Sequence, residues 1–365
     1  MKKYTNAELC LIWLDSFVGL EYKHKQTLYQ MIQGKADIKE LLEKGRDYII
    51  QSIGEKEYST LMHSANKEYL DFTLSTLERK GITVVTIESQ DYPQSIINTP
   101  VPPLVLYCKG NVSLLSEKSI AIVGSRKSLP QSLKIAENYT ETFCQNGFVV
   151  VTGIAEGVDS TVLKTALHCG GKAISVLAGG FDNLYPASNI TLVQEVEKHG
   201  LVITEHIPEI SPRPYLFPVR NRIIAGLSQA TVVISGGIKS GTVYTAEYAE
   251  EYGREVFAVP YSIGISSGAG CNELIKKGAI LTDTPQDILN FYGIENKRER
   301  VQLTPEQKEI IALLSDGEMH VENICKALNK KIFEITPIIS IMEINKIIVK
   351  NGTNVYGLIR SDLEE

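Results

Sequence analysis

Short, largely β-branched apolar runs alternate with helical patterns over residues 81–260, and this alternation constrains the fold more than any other feature. The runs lie at 82–87, 119–123, 148–151, 173–177, 201–203, 231–234 and 255–259. Helical patterns fill most of the intervals, at 131–145, 160–168, 190–199 and 243–252. Such alternation predicts an α/β fold with a mostly parallel sheet covered on both faces, which right-handed crossovers wind into a Rossmann-like sheet. Ligands of these sheets bind outside the carboxyl ends of the strands.

Different sequence patterns flank this region. Residues 1–80 are rich in helix formers with apolar residues at helical spacing, which predicts a small helical, SAM-like domain with Trp13 in its core. The charged stretch 295–300 predicts a linker. Beyond it, Thr304-Pro305-Glu306-Gln307 has the N-cap, first-turn proline and capping-box glutamine of a helix start. Helices near 321–328 and 332–344, then strand, Asn351-Gly352 turn and strand, predict a winged helix. The predicted domains are therefore 1–80, 81–294 and 301–365.

Composition excludes several classes of protein. Hydrophobic residues make up 43% and charged residues 22% of the chain, as in ordinary globular proteins. The scattered cysteines form no CxxC pair and the histidines no HExxH, so we expect neither a metal site nor a disulfide framework. Asn6, Glu8 and Asp15 interrupt the apolar residues near the start, and no apolar stretch reaches the length of about 18 residues typical of a membrane span. We expect a cytoplasmic protein that does not enter the membrane.

The charge is small but unevenly distributed. A net charge of −6 argues against a protein that coats nucleic acid through bulk charge. Three runs, however, hold ten basic residues and no acid: 118–136, 160–181 and 210–246. Because these runs include most of the glycine-rich loops that follow strands, they predict a basic pocket on an acidic body.

Two glycine-containing loops follow the strands at 119–123 and 148–151. The first, Gly124-Ser125-Arg126, offers close backbone approach, a helix N-terminus for a phosphate and a planar cation. A tight turn with a solvated arginine is the alternative. The second contains Gly153 and Gly157 and suits an oxyanion or phosphate nest. Asp159, which follows it, is either a ligand or a helix N-cap.

Two further positions carry basic side chains. Gly179 follows the strand at 173–177 and Lys172 precedes it, and spacing alone leaves Lys172 open between a structural and a functional role. Arg220 and Arg222 bracket Asn221 ahead of a predicted helix, where two guanidinium groups suit phosphate oxygens. Salt bridges to acidic helices are the alternative for both arginines.

The last loop, 236–242, follows the strand at 231–234 and ends in Ser240-Gly241-Thr242. It has the composition of a turn that grips a phosphate. It is not a Walker A motif, since no lysine follows the final glycine. We therefore expect no ATP hydrolysis.

In this order, the motifs resemble the DNA-processing protein A family, also called DprA or Smf. The resemblance extends over almost the whole chain and includes Asp91-Tyr92-Pro93, Tyr185-Pro186, the specific run 217–228 and the run 253–260. It implies a Rossmann-like core that binds single-stranded DNA without sequence preference and has no catalytic activity and no cofactor. It further implies a homodimer that protects incoming strands and loads RecA recombinase during natural transformation.

The resemblance also assigns site residues. Arg126 matches the family's DNA-contacting arginine, and Lys172 matches the lysine of a Gly-Gly-Lys motif. The predicted DNA-binding residues are Gly124, Ser125, Arg126, Gly153, Gly157, Lys172, Gly179, Arg220, Asn221, Arg222, Ser240, Gly241 and Thr242. The chain departs from the family at Val162 and Leu163, where a histidine is usual, and at Tyr244, within a run that is usually Ser-Gly-Ser-Leu-Ile-Thr-Ala.

Two other functions compete with this interpretation. The run from Gly236 to Glu247 resembles the Gly-Gly-x-Gly-Thr-x-x-Glu motif of nucleotide phosphoribohydrolases, in which the glutamate assists cleavage of an N-glycosidic bond. Its longer spacing and the predicted winged helix disfavour that enzyme. A transcription regulator that reads duplex DNA is disfavoured because the third helix of the predicted winged helix contains no arginine.

Overall fold

The structure, a computed structural model, describes residues 3–17, 20–32, 38–295, 303–344 and 347–358. The chain divides into two units, Met1–Arg298 and Glu299–Glu365, and each is described by itself. Apart from Glu295, the predicted linker at 295–300 lies outside the described residues.

Among the described residues, five helices form the N-terminal part of the first unit: α1 (Asn6–Ser16), α2 (Tyr22–Ile32), α3 (Ile38–Ile53), α4 (Glu55–Ser64) and α5 (Lys67–Arg79). Thr5 starts α1 with a capping box that it shares with Glu8. Trp13 is 1% exposed at the centre of the helical core, as predicted. The hydroxyl of Tyr107 on the sheet donates a hydrogen bond of 2.8 Å to the Asp15 carboxylate, which fixes α1 against the sheet.

A nine-stranded sheet of the described residues lies at the centre of the rest of this unit. The strands are β1 (Thr83–Thr86), β2 (Val105–Gly110), β3 (Ser119–Val123), β4 (Val149–Thr152), β5 (Lys172–Val176), β6 (Leu201–Thr204), β7 (Ala230–Val233), β8 (Glu255–Ala258) and β9 (Ile280–Leu281). They lie in the order β1-β2-β6-β5-β4-β3-β7-β8-β9. Strands β3 to β9 run parallel, whereas β1 and β2 pair antiparallel at one edge. The mostly parallel wound sheet is therefore confirmed, and the sequence patterns did not predict β2 and β9.

Helices cover both faces of the sheet because alternate strand residues point to opposite sides. The helices of this region are α6 (Gln94–Ile97), α7 (Pro130–Gln145), α8 (Val158–His168), α9 (Ile190–His199), α10 (Leu216–Leu227), α11 (Gly241–Glu251), α12 (Ala269–Lys277) and α13 (Pro285–Phe291). Ile120 and Ile122 pack in one apolar cluster with α7, α8 and α9, and Ala121 and Val123 pack in another with α10, α11 and α12.

The strand order reverses between β3 and β7. From β3 the chain proceeds to β4, β5 and β6 on one side, and then returns to place β7 on the other side of β3. At such a switch point the connections leave in opposite directions and open a crevice outside the carboxyl ends. The loops that follow β3 and β7 therefore flank the position where this fold binds ligands.

The second unit contains α14 (Pro305–Leu314), β10 (Met319–His320), α15 (Val321–Ala327), α16 (Ile332–Ile344), β11 (Ile348–Gly352) and β12 (Val355–Leu358). Its three strands pair in the order β10-β12-β11. The predicted Asn351-Gly352 turn is wrong: both residues belong to β11, and the turn is formed by Thr353 and Asn354. Asn354 adopts the left-handed φ of 57° that the turn requires, a conformation that asparagine tolerates. The winged-helix interpretation stays a prediction.

Candidate nucleic-acid interface

Serine hydroxyls join the two loops that flank the switch point. The Ser125 amide donates to Ser235 Oγ at 3.2 Å, and the hydroxyls of Ser128 and Ser235 lie 3.0 Å apart. The loop after β3 is thereby fastened to the loop after β7. Both loops carry predicted site residues, so the structure brings these parts of the prediction together.

The Gly124-Ser125-Arg126 turn rests on the start of α8. Gly157 caps that helix with a φ of +81°, and a Cβ on it would lie 2.4 Å from the Ser125 carbonyl oxygen and 2.7 Å from that of Arg126. Only glycine allows this approach. Gly124 is buried, whereas the Arg126 side chain is exposed. The turn thus presents Arg126 to solvent from a fixed backbone.

An aromatic side chain contacts Arg126, and a second ring packs on the first. The Arg126 guanidinium lies 5.0 Å from the centroid of the Phe217 ring, a cation–π contact. The Tyr185 ring meets Phe217 edge to face at 5.9 Å and is 54% exposed. Tyr215, which precedes α10, is 62% exposed. The sequence patterns missed these aromatic rings as site residues, although Tyr185-Pro186 and the run from Phe217 belong to the stretches that carry the family resemblance.

A buried acid and a buried base lie beneath this surface. A Cβ at Gly153 would lie 2.4 Å from Asp159 Oδ2 and 2.7 Å from Arg220 Nη2, so both side chains reach Gly153. Burial raises the pKa of Asp159, and the neighbouring Arg220 opposes that effect. Burial lowers the pKa of Arg220 to about 10, while the neighbouring Asp159 carboxylate raises that pKa. Asp159 is not the N-cap of α8; its carboxylate accepts the Ala155 amide at 3.3 Å.

Arg220 and Asn221 hold the loops in place. Arg220 donates to the Val176 carbonyl at the end of β5 and, at 3.1 Å, to Asn221 Oδ1. Asn221 Nδ2 donates to the Gly241 carbonyl at 3.1 Å. Ser240 caps α11, and its hydroxyl lies 2.8 Å from that of the buried Thr242. These residues connect the ends of β5 and β7 through α10, so they form the floor of the interface.

Arg222 faces away from this floor. The helix was expected to begin after the two arginines, but α10 begins at Leu216, so Arg220 and Arg222 lie within it on different sides. Arg222 is 4% exposed and forms an ion pair with Glu205, beneath the Tyr22 ring at 5.5 Å. Within the described residues Arg222 Nε and Nη1 have no hydrogen-bond partner, and the tyrosine ring covers the guanidinium instead. Its structure fits the salt-bridge alternative.

Lys172 lies at the opposite edge of the sheet. It is the first residue of β5 and pairs with Val149 at the start of β4. At about 3.3 Å per residue, its Cα lies about 13 Å from the carboxyl end of β5. Gly179 is at the carboxyl edge but buried, beside the backbone of Ile210 and Pro212. The structure therefore does not bring Lys172 together with Arg126.

The exposed charges on the loops that flank the switch point are basic, whereas the loops after β5 and β6 also carry the exposed acids Asp182 and Glu209, which pair with Lys80. Arg126, Lys127, Arg213 and Lys239 are exposed on loops that follow β3, β6 and β7. Glu156, an exposed acid on the loop after β4, accepts a hydrogen bond from Ser188 at 2.9 Å. In the part of the chain that the structure describes, no group of three or more histidine, cysteine or acidic side chains could hold a metal ion, and no helix is both long and apolar enough to cross a bilayer.

The doubly wound sheet, with its switch point between β3 and β7, places the chain among Rossmann-like proteins, whose ligands bind at the carboxyl edge of the strands. The family model described as DNA recombination-mediator protein A matches residues 83–293. The chain belongs to this family.

Relatives with known names agree with this assignment. The chain is 38% identical over 216 residues to the DNA processing protein DprA of Bacillus subtilis, covering 59% of this chain and 73% of the relative. It is 31% identical over 250 residues to the protein Smf of Escherichia coli, covering 67% of each.

Solved structures are similar as well. That of DNA processing protein A from Streptococcus pneumoniae matches with a TM-score of 0.67 at 29% identity, covering 80% of this chain and 99% of that one. The Helicobacter pylori DNA processing protein A, which is described with a single-stranded DNA binding mode, matches with a TM-score of 0.53 at 30% identity, covering 57% of this chain and 95% of that one.

Proposed function

We propose that this chain is a recombination mediator that binds single-stranded DNA without sequence preference across the carboxyl edge of its sheet. The observation that carries the proposal is the exposed Arg126 guanidinium against the Phe217 ring, beside the exposed Tyr185 ring, at the switch point. A cation beside aromatic faces suits a single strand, because phosphates bind the charge while unpaired bases stack on the rings. The DNA-binding mode described for the Helicobacter pylori relative supports the same conclusion.

The carboxyl edge is long enough for several nucleotides. The exposed basic and aromatic side chains extend from the loop after β6, with Arg213 and Tyr215, to the loop after β7, with Lys239. Four spacings of about 4.8 Å separate β6 from β7 in the sheet, or about 19 Å in all. The strand would run across this row with Arg126 near its middle.

The residues that hold the loops have a separate role in this proposal. Arg220, Asn221 and Thr242 fix the positions of the loops, and Gly124, Gly153 and Gly157 allow those loops to approach one another. A site that is held in shape before DNA arrives loses less conformational entropy on binding. Mutations at these positions would therefore weaken binding through the shape of the site.

The proposal extends to partners. Membership in the recombination-mediator family supports a homodimer in the cytoplasm that delivers the bound strand to RecA recombinase and protects it beforehand. It also supports a binding function without catalysis. The phosphoribohydrolase alternative is not favoured, because Glu247 is exposed on α11 and the relatives are DNA-processing proteins.

A binding assay with fluorescent oligonucleotides tests the proposal. We expect oligonucleotides of unrelated sequence to bind with similar affinity as single strands, and more weakly once they are annealed to their complements. RecA filaments should form faster on protein-bound strands than on strands covered by a single-strand-binding protein alone. Preference for one duplex sequence, or release of free base from nucleoside monophosphates, would overturn the proposal.

A further inference from the structure

Two cysteines meet at the amino edge of the sheet, away from the DNA interface. Cys144 is the second-last residue of α7, and Cys169 is the C-cap of α8. Helices α7 and α8 are the crossovers before and after β4, they pack in the same apolar cluster, and the strands they connect are parallel. Their C-terminal ends therefore lie side by side.

The turn after Cys169 is packed directly on Cys144. The Gly171 amide donates to the Ala166 carbonyl at 2.8 Å, which bends the chain back over the end of α8. A Cβ at Gly171 would lie 2.3 Å from Cys144 Sγ and 2.6 Å from Cys144 Cβ. The backbone two residues beyond Cys169 thus touches the Cys144 side chain.

The two thiols differ in exposure. Cys169 is exposed, and its Sγ lies 3.5 Å from the Ala166 carbonyl oxygen, whereas Cys144 is partly buried. Burial raises the pKa of the Cys144 thiol, and the neighbouring Cys169 thiol raises it further. An oxidant from solvent therefore reaches Cys169 first and finds a protonated second thiol beside it.

We propose that Cys144 and Cys169 are a peroxide-sensitive dithiol that closes to an intramolecular disulfide. In the first step the Cys169 thiolate attacks hydrogen peroxide, which leaves a sulfenic acid on Cys169 and releases hydroxide. In the second step Cys144 Sγ attacks the sulfenic sulfur, the S–S bond forms and the S–O bond breaks. The Cys144 proton leaves with the departing hydroxyl as water. Overall, two thiols are oxidised by two electrons and one peroxide is reduced to two waters.

The disulfide would enclose β4 and α8. The enclosed segment includes Gly157, which supports the Arg126 turn at the other end of the same elements. Oxidation would thus link the C-terminal ends of α7 and α8, whose N-terminal ends follow the loops of the interface.

Peptide mapping after oxidation tests the proposal, because Lys164 separates the two cysteines. Native full-length protein is treated with stoichiometric hydrogen peroxide, blocked with N-ethylmaleimide and digested with trypsin without reductant. We expect the peptide 135–164 linked to the peptide 165–172, with the combined mass lowered by about 2 Da and the link removed by dithiothreitol. Cys325→Ser, which changes a thiol in the other unit, should leave the linked peptide unchanged.

Two single variants separate the steps. In Cys144→Ser the sulfenic acid should persist on Cys169 and react with dimedone, whereas Cys169→Ser should give no dimedone adduct on Cys144. Three results in the wild-type protein would overturn the proposal: dimedone-labelled Cys169 beside a free Cys144, a link from Cys169 to another thiol or another chain, or no oxidation at peroxide levels that oxidise glutathione.

Discussion

Arg126→Ala should weaken binding of single-stranded DNA and also lower its salt dependence. A hydrogen bond to a charged group contributes about 1.5–3 kcal/mol, and the lower value applies because Arg126 is exposed. At about 1.4 kcal/mol per factor of ten, its loss corresponds to about a tenfold weaker affinity at low salt. Each phosphate contact to a single strand contributes about 0.7 to the slope of log affinity against log salt. The slope should fall by about this amount.

Arg126→Lys separates the contribution of the positive charge to DNA affinity from the contribution of the cation–π contact with Phe217. The ammonium group keeps the phosphate contact but loses the planar guanidinium that lies 5.0 Å from the Phe217 centroid. A cation–π contact at an exposed site contributes about 0.5–1 kcal/mol. We expect an affinity about two- to fivefold below wild type, with an unchanged salt slope.

Fluorescence anisotropy with labelled oligonucleotides at four or more salt concentrations measures both quantities. Lys118→Ala is the matched control: Lys118 is exposed directly before β3, whereas Arg126 lies beyond the carboxyl end of the same strand. Both variants lose one positive charge, so a bulk charge effect would be equal in the two. If Arg126→Ala and Lys118→Ala give the same affinity and the same slope, the carboxyl edge is not the DNA interface.

The remaining predictions concern stacking, the far edge, the supporting turn and the ion pair. Tyr185→Ala should lower single-strand affinity at every salt concentration with little change in slope, by about 1–3 kcal/mol if its ring stacks on a base, and a change confined to low salt would contradict stacking. Lys172→Ala should leave the affinity for short oligonucleotides unchanged and weaken binding only of oligonucleotides long enough to extend from the carboxyl edge of the sheet to its amino edge. An equal loss of affinity for the shortest oligonucleotides would contradict a site confined to the carboxyl edge. Gly157→Ala should weaken both folding and DNA binding because its Cβ meets two carbonyl oxygens of the Gly-Ser-Arg turn, whereas Gly170→Ala, with a φ of +69° and open space around it, should reduce stability alone; equal DNA affinities of the two variants would show that the turn does not depend on this contact. Arg222→Ala should lower the free energy of unfolding by about 3–5 kcal/mol in urea titrations, since it leaves a buried glutamate unpaired, and a cost below about 1 kcal/mol would mean that water reaches the pair.

Much of the sheet could be predicted from the sequence because apolar runs such as 119–123 and 231–234 are continuous, as strands buried on both faces require. The sequence patterns did not predict strand β2 (Val105–Gly110), because apolar runs were interpreted only as parallel strands separated by helices. Strand β2 instead pairs antiparallel with β1 and β6. Strand β9 (Ile280–Leu281) is only two residues long, too short for any periodicity to show.

The start of α10 shows why side-chain roles were harder to predict. Pro218 in the run ahead of the arginines suggests a loop, but it is the third residue of the helix, where proline is tolerated because first-turn amides have no partner in the helix. Once the helix begins at Leu216, Arg220 faces the sheet and Arg222 faces Glu205. Only the contacts between helix and sheet decide which arginine reaches which group.

The aromatic part of the interface depends on tertiary structure alone. Tyr185 lies on the loop after β5 and Phe217 lies in the first turn of α10, and no local pattern predicts that their rings touch. Conversely, Lys172 is close to the glycine loops in sequence, but its Cα lies about 13 Å from the carboxyl end of β5, because the length of that strand separates them.

The uneven charge has a kinetic consequence. The chain carries a net charge of −6, yet Arg126, Lys127, Arg213 and Lys239 lie exposed on the carboxyl-edge loops. The net negative charge repels a polyanion at long range, while the exposed bases attract it close to this edge. Encounters should therefore be productive mainly when the molecule has already turned this edge toward the strand. Lower ionic strength extends the range of both fields, so it should improve the orientation of each encounter more than the number of encounters.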